Sequence, residues 1–141
     1  STEYNELQAA FSPDGRWIAY TSDESGRQEV YVRRFDGGPA SAAVRRVSMD
    51  GGSHPQWRLD GSEIFFLSPD RKLMSVEVSG SPDLNFGLPR ALFQTDVRMA
   101  DVFLPYSVSR DGQRFLISNP TEPTGSTTLN VILNWTPPPD R

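Results

Sequence analysis

The stretch "FSPDGRWIAYTS" at residues 11–22 returns in weaker form as "WRLDGSEIFFLS" and again as "VSRDGQRFLISN", and this repetition constrains the fold more than any other feature. Superposing the copies brings Asp14, Asp60 and Asp111 together, each followed by a glycine: Gly15, Gly61 or Gly112. The aspartates stand 46 and then 51 residues apart, a period that suits one four-stranded antiparallel unit per copy. Each Asp-Gly pair reads as a tight hairpin turn. The Asp side chain bonds nearby backbone N–H groups, and the glycine takes a positive φ that other residues resist.

Twelve prolines and eleven glycines punctuate the chain, and the segments between them favour aromatic and β-branched residues over helix formers. The best helical window, "GPASAAVRRV", lies between a Gly-Gly pair and a strand-like tail, so helix content is expected to be low. Four strands per unit can be traced: "LQAAFS", "RWIAYTS", "EVYVRRF" and "VRRVS" in the first, then "HPQWRL", "EIFFLS", "KLMSVEV" and "RALFQ" in the second. The third unit offers "PYSVSR", "QRFLIS" and "TLNVILNW" before the chain runs into "TPPPDR". That ending cannot continue strand pairing, because its prolines carry no N–H donor, so the last unit lacks a fourth strand.

The second strand of each unit is apolar at consecutive positions: Trp17 to Tyr20, Ile64 to Leu67, Phe115 to Ile117. A strand of a sandwich wet on one face would alternate; consecutive apolar residues predict cover on both faces. Sheets stacked side by side as the blades of a β-propeller meet that requirement. The expected units are about 5–50, 51–96 and 102–136, followed by a Pro-rich tail at 137–141, all within one segment, 1–141.

Composition narrows the partners. The 14 Lys and Arg are interspersed among 18 Asp and Glu, for a net charge of −4, and no basic stripe forms, so nucleic acid is not an expected partner. There is no cysteine, which excludes disulfides and thiolate metal sites. The longest apolar runs, such as "IFFL", are far too short to insert in a membrane as a helix. The chain begins "STEYNELQ" without Met, as expected of a mature or excised segment.

At these residues the chain resembles the WD40-like repeat family often called PD40, the blades of TolB-type six-bladed propellers. "FSPDGRWIAY" followed by "EVYV" carries the resemblance most strongly, and "VILNW" is similar to the ending of propellers attached to bacterial membrane-linked proteins, some of them receptor-type kinases. No Gly-rich loop, "HRD" or "DFG" is present, so no kinase activity carries over. The resemblance implies an all-β propeller segment of three four-stranded blades, half of a six-bladed ring, with the last blade short of its outer strand. It also implies a bacterial periplasmic or extracytoplasmic setting and a protein or peptide partner at the ring face; the leading expectation is a non-enzymatic binding or scaffold module that takes a protein, peptide or small ligand there. The alternatives are an accessory propeller of a larger peptidase or membrane kinase, and a propeller hydrolase.

Three blades at about 60° each span a half circle, so a homodimer would close the ring. Blades one and three would then expose an apolar sheet face until the partner arrived. Residues Ser1 to Tyr4 align with the tail of an outer strand belonging to the preceding blade, which predicts strand exchange at both seams.

The sole histidine, His54, stands where an inner strand begins. Gln8 is its counterpart in the first unit and Tyr106 lies near the third, so the three form a candidate ligand-binding set on the channel face; the competing expectation for His54 is a solvated loop residue. No "GxSxG" elbow positions a nucleophilic serine, and no catalytic residue is assigned. Asp14, Asp60 and Asp111 recur beside glycine as turn formers rather than metal ligands, "SDESGR" lacks the ligand alternation of a calcium loop, and no metal or other cofactor is expected. Arg33, Arg34, Arg45 and Arg46 read as ordinary surface charge, and Trp17, Trp57 and Trp135 as packing residues.

Overall fold

The computed structural model describes residues 5–35, 43–97, 105–120 and 127–132, and among them there is no helix. The first sheet is a meander of β1 (Glu6–Phe11), β2 (Trp17–Ser22), β3 (Glu29–Arg34) and β4 (Arg45–Arg46). The second holds β5 (Ser53–Trp57), β6 (Glu63–Leu67), β7 (Lys72–Ser79), β8 (Asn85–Phe86) and β9 (Arg90–Gln94). The third holds β10 (Tyr106–Val108), β11 (Phe115–Pro120) and β12 (Thr127–Ile132), and every pairing is antiparallel.

Side-chain alternation decides how the sheets stack. Ala19, Val30 and Val32 leave one face of the first sheet and meet Ile64, Phe66, Val76 and Val78 of the second. From the other face of the second sheet, Phe65, Leu67 and Leu73 meet Tyr106, Phe115 and Ile117 of the third. The central sheet is therefore dry on both sides, which is why "IFFL" is apolar without interruption. Phe65 and Phe66 point in opposite directions yet are each 1% exposed, and each contributes about 1.5–3 kcal/mol by leaving water. The flanking sheets behave differently. In β11, Phe115 and Ile117 are buried while Leu116 between them is 38% exposed, so in the single chain the outer face of this strand is uncovered. On the far side of the first sheet, Ile18, Tyr20 and Tyr31 cluster and are buried, with the Arg33 guanidinium 5.5 Å from the centre of the Tyr20 ring. That face is less open than expected, and the residues that stay exposed include Phe11 and Phe35, an edge-to-face pair 4.8 Å apart.

Each Asp-Gly turn contains two more residues than a two-residue hairpin. In the first, Gly15 N donates to Ser12 O at 2.8 Å and Ser12 N to Trp17 O at 2.8 Å, so Ser12-Pro13-Asp14-Gly15 forms the β-turn. Only Gly15, with φ of 72°, is left-handed, and Gly61 (76°) and Gly112 (68°) repeat it. Asp14 Oδ1 accepts from Arg16 N, Asp60 Oδ1 from Ser62 N, and Asp111 Oδ1 from Gln113 N, each at 3.0–3.1 Å.

Two further departures from the expected strands have local causes. The outer strand of the first sheet shrinks to Arg45–Arg46, and the second sheet gains β8. β7 is eight residues long; its first half pairs with β9 and its end with β8, so its outer edge is shared between two partners. Between the first two sheets the chain crosses at Gly51-Gly52, where contact leaves no space for side chains: a Cβ on Gly51 would stand 2.5 Å from Pro69 Cγ, and one on Gly52 2.8 Å from Phe66 Cδ2. The fully buried carboxylate of Glu29 holds this crossing, accepting from Gly51 N at 3.0 Å, from Ser48 Oγ, and from Arg27 Nε at 2.7 Å. Ser1 to Tyr4, Trp135 and the tail 137–141 lie outside the described residues, as does the end of "TLNVILNW".

Candidate functional site

Gln8 on β1 and His54 on β5 occupy the same repeat position, six residues before their turn aspartates. Both sit where the strand slips register against its neighbour, between Leu7 and Ala10 and between Ser53 and Gln56. Both take left-handed backbone, φ 55° and 54°. Such conformations cost about 1–3 kcal/mol for residues other than glycine and persist only where surroundings hold them; a bulge of this kind re-aims a side chain out of the strand's alternation.

What holds them is a polar latch across three inner strands. Gln8 Oε1 accepts from Thr21 Oγ1 at 3.0 Å and from His54 N at 3.1 Å. That fixes the amide orientation, so Gln8 Nε2 donates to His54 Nε2 at 2.9 Å. The imidazole therefore carries its proton on Nδ1, which donates to Ser53 Oγ at 2.9 Å. Tyr106 on β10 completes the set. Its Oη donates to His54 O at 2.6 Å, and its own carbonyl accepts from Gln56 Nε2 at 2.6 Å. Burial pushes the Tyr106 phenol well above its ordinary 10.

Gln8, His54 and Tyr106 are thus brought together, one from each sheet. His54 is not the solvated loop residue that competed with the ligand reading; it is 7% exposed and lies within β5. Gln8 is the member of the three that reaches solvent. Three residues beyond Gln8 and His54 the same strands end at an apolar hollow of about 370 Å³, bounded by Phe11, Trp57, Leu59 and Val108 with Arg110 at its edge. The inner strands therefore present polar groups at one level and apolar groups at the next.

The turn aspartates Asp14, Asp60 and Asp111 stay apart as anchors of separate turns. Each carboxyl is held below the usual range, first by a neighbouring serine hydroxyl (Ser12, Ser62 and Ser109) and then by a backbone N–H. A fourth turn of this design escaped the sequence reading. Ser68-Pro69-Asp70-Arg71 joins β6 to β7, with Ser68 Oγ donating to Asp70 and Arg71 left-handed at φ 65°. Its signal was the second "SPD", identical to residues 12–14 but without the glycine. Among the described residues no three His, Asp or Glu side chains converge as metal ligands.

No family model matches the chain. Solved structures do. TolB from Acinetobacter baumannii superposes with a TM-score of 0.62 and 17% identity, over 95% of this chain and 30% of its own length. The fold is that of a β-propeller segment. An oligogalacturonate lyase in complex with manganese matches as well, with a TM-score of 0.62 and 18% identity over 99% of this chain and 37% of that one. The oligogalacturonate lyase of Vibrio parahaemolyticus follows at 0.52 and 12% over 79% and 27%. The chain spans roughly a third of the length of these structures, and identities this low establish the fold alone. Manganese is found with one of these lyases, but the latch described here offers one imidazole, already bonded through both nitrogens, and no carboxylate. That set does not suit a divalent cation.

Proposed function

We propose that this chain is a non-enzymatic binding module of TolB-like type, built from PD40 repeats, that pairs with a second copy to close a six-bladed ring and takes a peptide segment at the ring's axial face. The observation that carries the binding reading is the latch: two non-glycine residues in left-handed backbone, at the same repeat position, stabilised across sheets so that Gln8 is presented to solvent above an apolar hollow. An extended peptide offers the amide groups and apolar side chains that such a surface would recognise. The neutral, doubly bonded imidazole and the buried phenol of Tyr106 favour a structural over a catalytic role. An extracytoplasmic bacterial setting accompanies the reading through the repeat's likeness to TolB.

Closure is supported by the repeat itself. At the position shared by Ala19, Phe65 and Leu116, the first two are buried against a following sheet and Leu116 is exposed. At the glycine shared by the three turns, Gly61 and Gly112 meet residues of the preceding sheet, whereas a Cβ on Gly15 would meet nothing within 4 Å. A second copy, placing the outer face of its third sheet against the first, supplies both missing contacts. Light scattering on the purified chain across a dilution series tests this: a mass of two chains is expected, and a mass of one refutes closure. Metal-dependent or ester-hydrolysing activity that disappears in His54→Ala would overturn the non-enzymatic reading.

A further inference from the structure

The two seams between the three sheets are finished differently at their turns. Between the second and third sheets the seam is filled by Arg58. Its Cγ, Cδ and Nε lie 3.0–3.3 Å from where a Cβ on Gly112 would be, so the aliphatic stem rests on that glycine. Its guanidinium ends among acids: Nη1 is 3.0 Å from Glu63 Oε1, and Nε is 3.3 Å from Asp60 Oδ2. Nε is buried there without an aligned hydrogen bond, held by charge alone.

Between the first and second sheets, the residue equivalent to Arg58 is Ser12. Its hydroxyl turns back to donate to Asp14 and accept from Trp17 N, and fills no space across the seam. The glycine floor remains, since a Cβ on Gly61 would meet only Pro13 Cδ, at 3.9 Å. What results is a cleft of about 220 Å³ bounded by Asp14, Arg16, Trp17, Trp57, Asp60 and Pro82. It is smaller than the roughly 300–1,000 Å³ of small-molecule pockets and suits a single long side chain.

We propose that this cleft receives an arginine side chain from a partner polypeptide, lodged as Arg58 is lodged one seam away. The stem would lie on Gly61. Asp14 stands at the position of Asp60, and its Oδ2 takes no bond among the described residues, while Oδ1 is occupied by Ser12 Oγ and Arg16 N. Where the filled seam has Glu63, this one has Trp17, a flat indole of the kind a planar guanidinium stacks on. The Arg34 guanidinium already lies 5.6 Å from that ring's centre, so the indole accepts such a contact within this chain. Among the described residues that line the cleft, Arg16 is outnumbered by Asp14 and Asp60. Both walls belong to one chain, so the site does not depend on ring closure.

The test is a titration of the ¹⁵N-labelled protein with an end-capped Gly-Gly-Arg-Gly-Gly peptide, following the indole N–H resonances of Trp17 and Trp57. A parallel titration uses the same peptide with citrulline, which keeps the shape and loses the charge. Saturable shifts are expected with arginine and binding at least about tenfold weaker with citrulline, because charge-assisted bonds are the strong ones. Ser12→Arg, which supplies the cleft with the chain's own guanidinium, should abolish the response, and Asp14→Asn should weaken it. No saturable shift, equal binding of citrulline, or a folded Ser12→Arg that binds as before would each overturn the proposal. The citrulline comparison uses the unaltered protein and holds even if a variant fails to fold.

Discussion

Tyr106→Phe deletes one oxygen from the seam between the second and third sheets and leaves the ring in place. The lost bond is short, 2.6 Å, and runs from a residue 1% exposed to the carbonyl of one 7% exposed. A bond of this kind contributes about 1 kcal/mol net, and leaving its buried acceptor without a donor adds a comparable amount, so a loss of about 2 kcal/mol is expected. With a urea dependence of about 2 kcal/mol/M for a chain this size, the unfolding midpoint should fall by about 1 M with unchanged slope. Urea titration followed by tryptophan fluorescence reads this directly, at several protein concentrations because association would add to apparent stability. The alkaline limb provides a second reading. The phenol's folded pKa is raised above the unfolded 10, so its contribution is present below about pH 10 and fades as pH climbs through the folded value. In Tyr106→Phe that part of the alkaline loss should vanish. An unchanged midpoint would show that the hydroxyl is hydrated rather than shared with His54, and the account of the latch would fall.

Gly52→Ala should destabilise by about 1–3 kcal/mol, since its Cβ would stand 2.8 Å from a Phe66 ring that has no space to retreat; a neutral result in the same urea assay would mean the crossing is not packed on that ring. Asp14, Asp60 and Asp111 have folded pKa values below the unfolded one, so their contribution is full above the unfolded carboxyl value of about 4 and is lost as pH falls through the lowered values. The triple Asn variant should therefore lose stability more gently than the parent as pH falls below about 4, and identical acid limbs would contradict the turn bonds. Leu116→Asp places a charge on the outer face of the third sheet; light scattering should report one chain instead of two, and an undiminished mass would move the contact elsewhere.

The architecture was legible because its signals are local and repeated. Asp-Gly spacing, consecutive apolar residues in the second strands and strand-breaking prolines all act within a few residues of where they are written, and three copies reinforce one another. What could not be read depends on partners distant in the chain. His54 resembles a loop histidine beside a proline until Gln8, 46 residues earlier, is placed against its Nε2 and Tyr106, 52 residues later, against its carbonyl. The division of β7 between β8 and β9 likewise depends on where residues 85–94 return, which no window over β7 records. Periodicity reports how many faces of a strand carry apolar side chains, not whether a neighbour covers them, and Leu116 marks that difference.

Repetition also hides what distinguishes the blades. Superposing the copies emphasises what they share, turns and seam residues, and these serve the packing common to the units. Specific behaviour has to come from positions where the copies disagree. Serine at 12 where the next copy has arginine opens a cleft that Arg58 closes one seam later. Trp17 where the next copy has Glu63 changes the wall of that cleft from an ion-pair acceptor to an indole. Arg71, left-handed where the three main turns have glycine, shows that the turn itself tolerates exchange once its serine and aspartate bonds are made. A substitution that copies the neighbouring blade's residue into such a position should therefore leave the fold standing and remove a property. Ser12→Arg is the sharpest case, because it changes one seam into a copy of its neighbour.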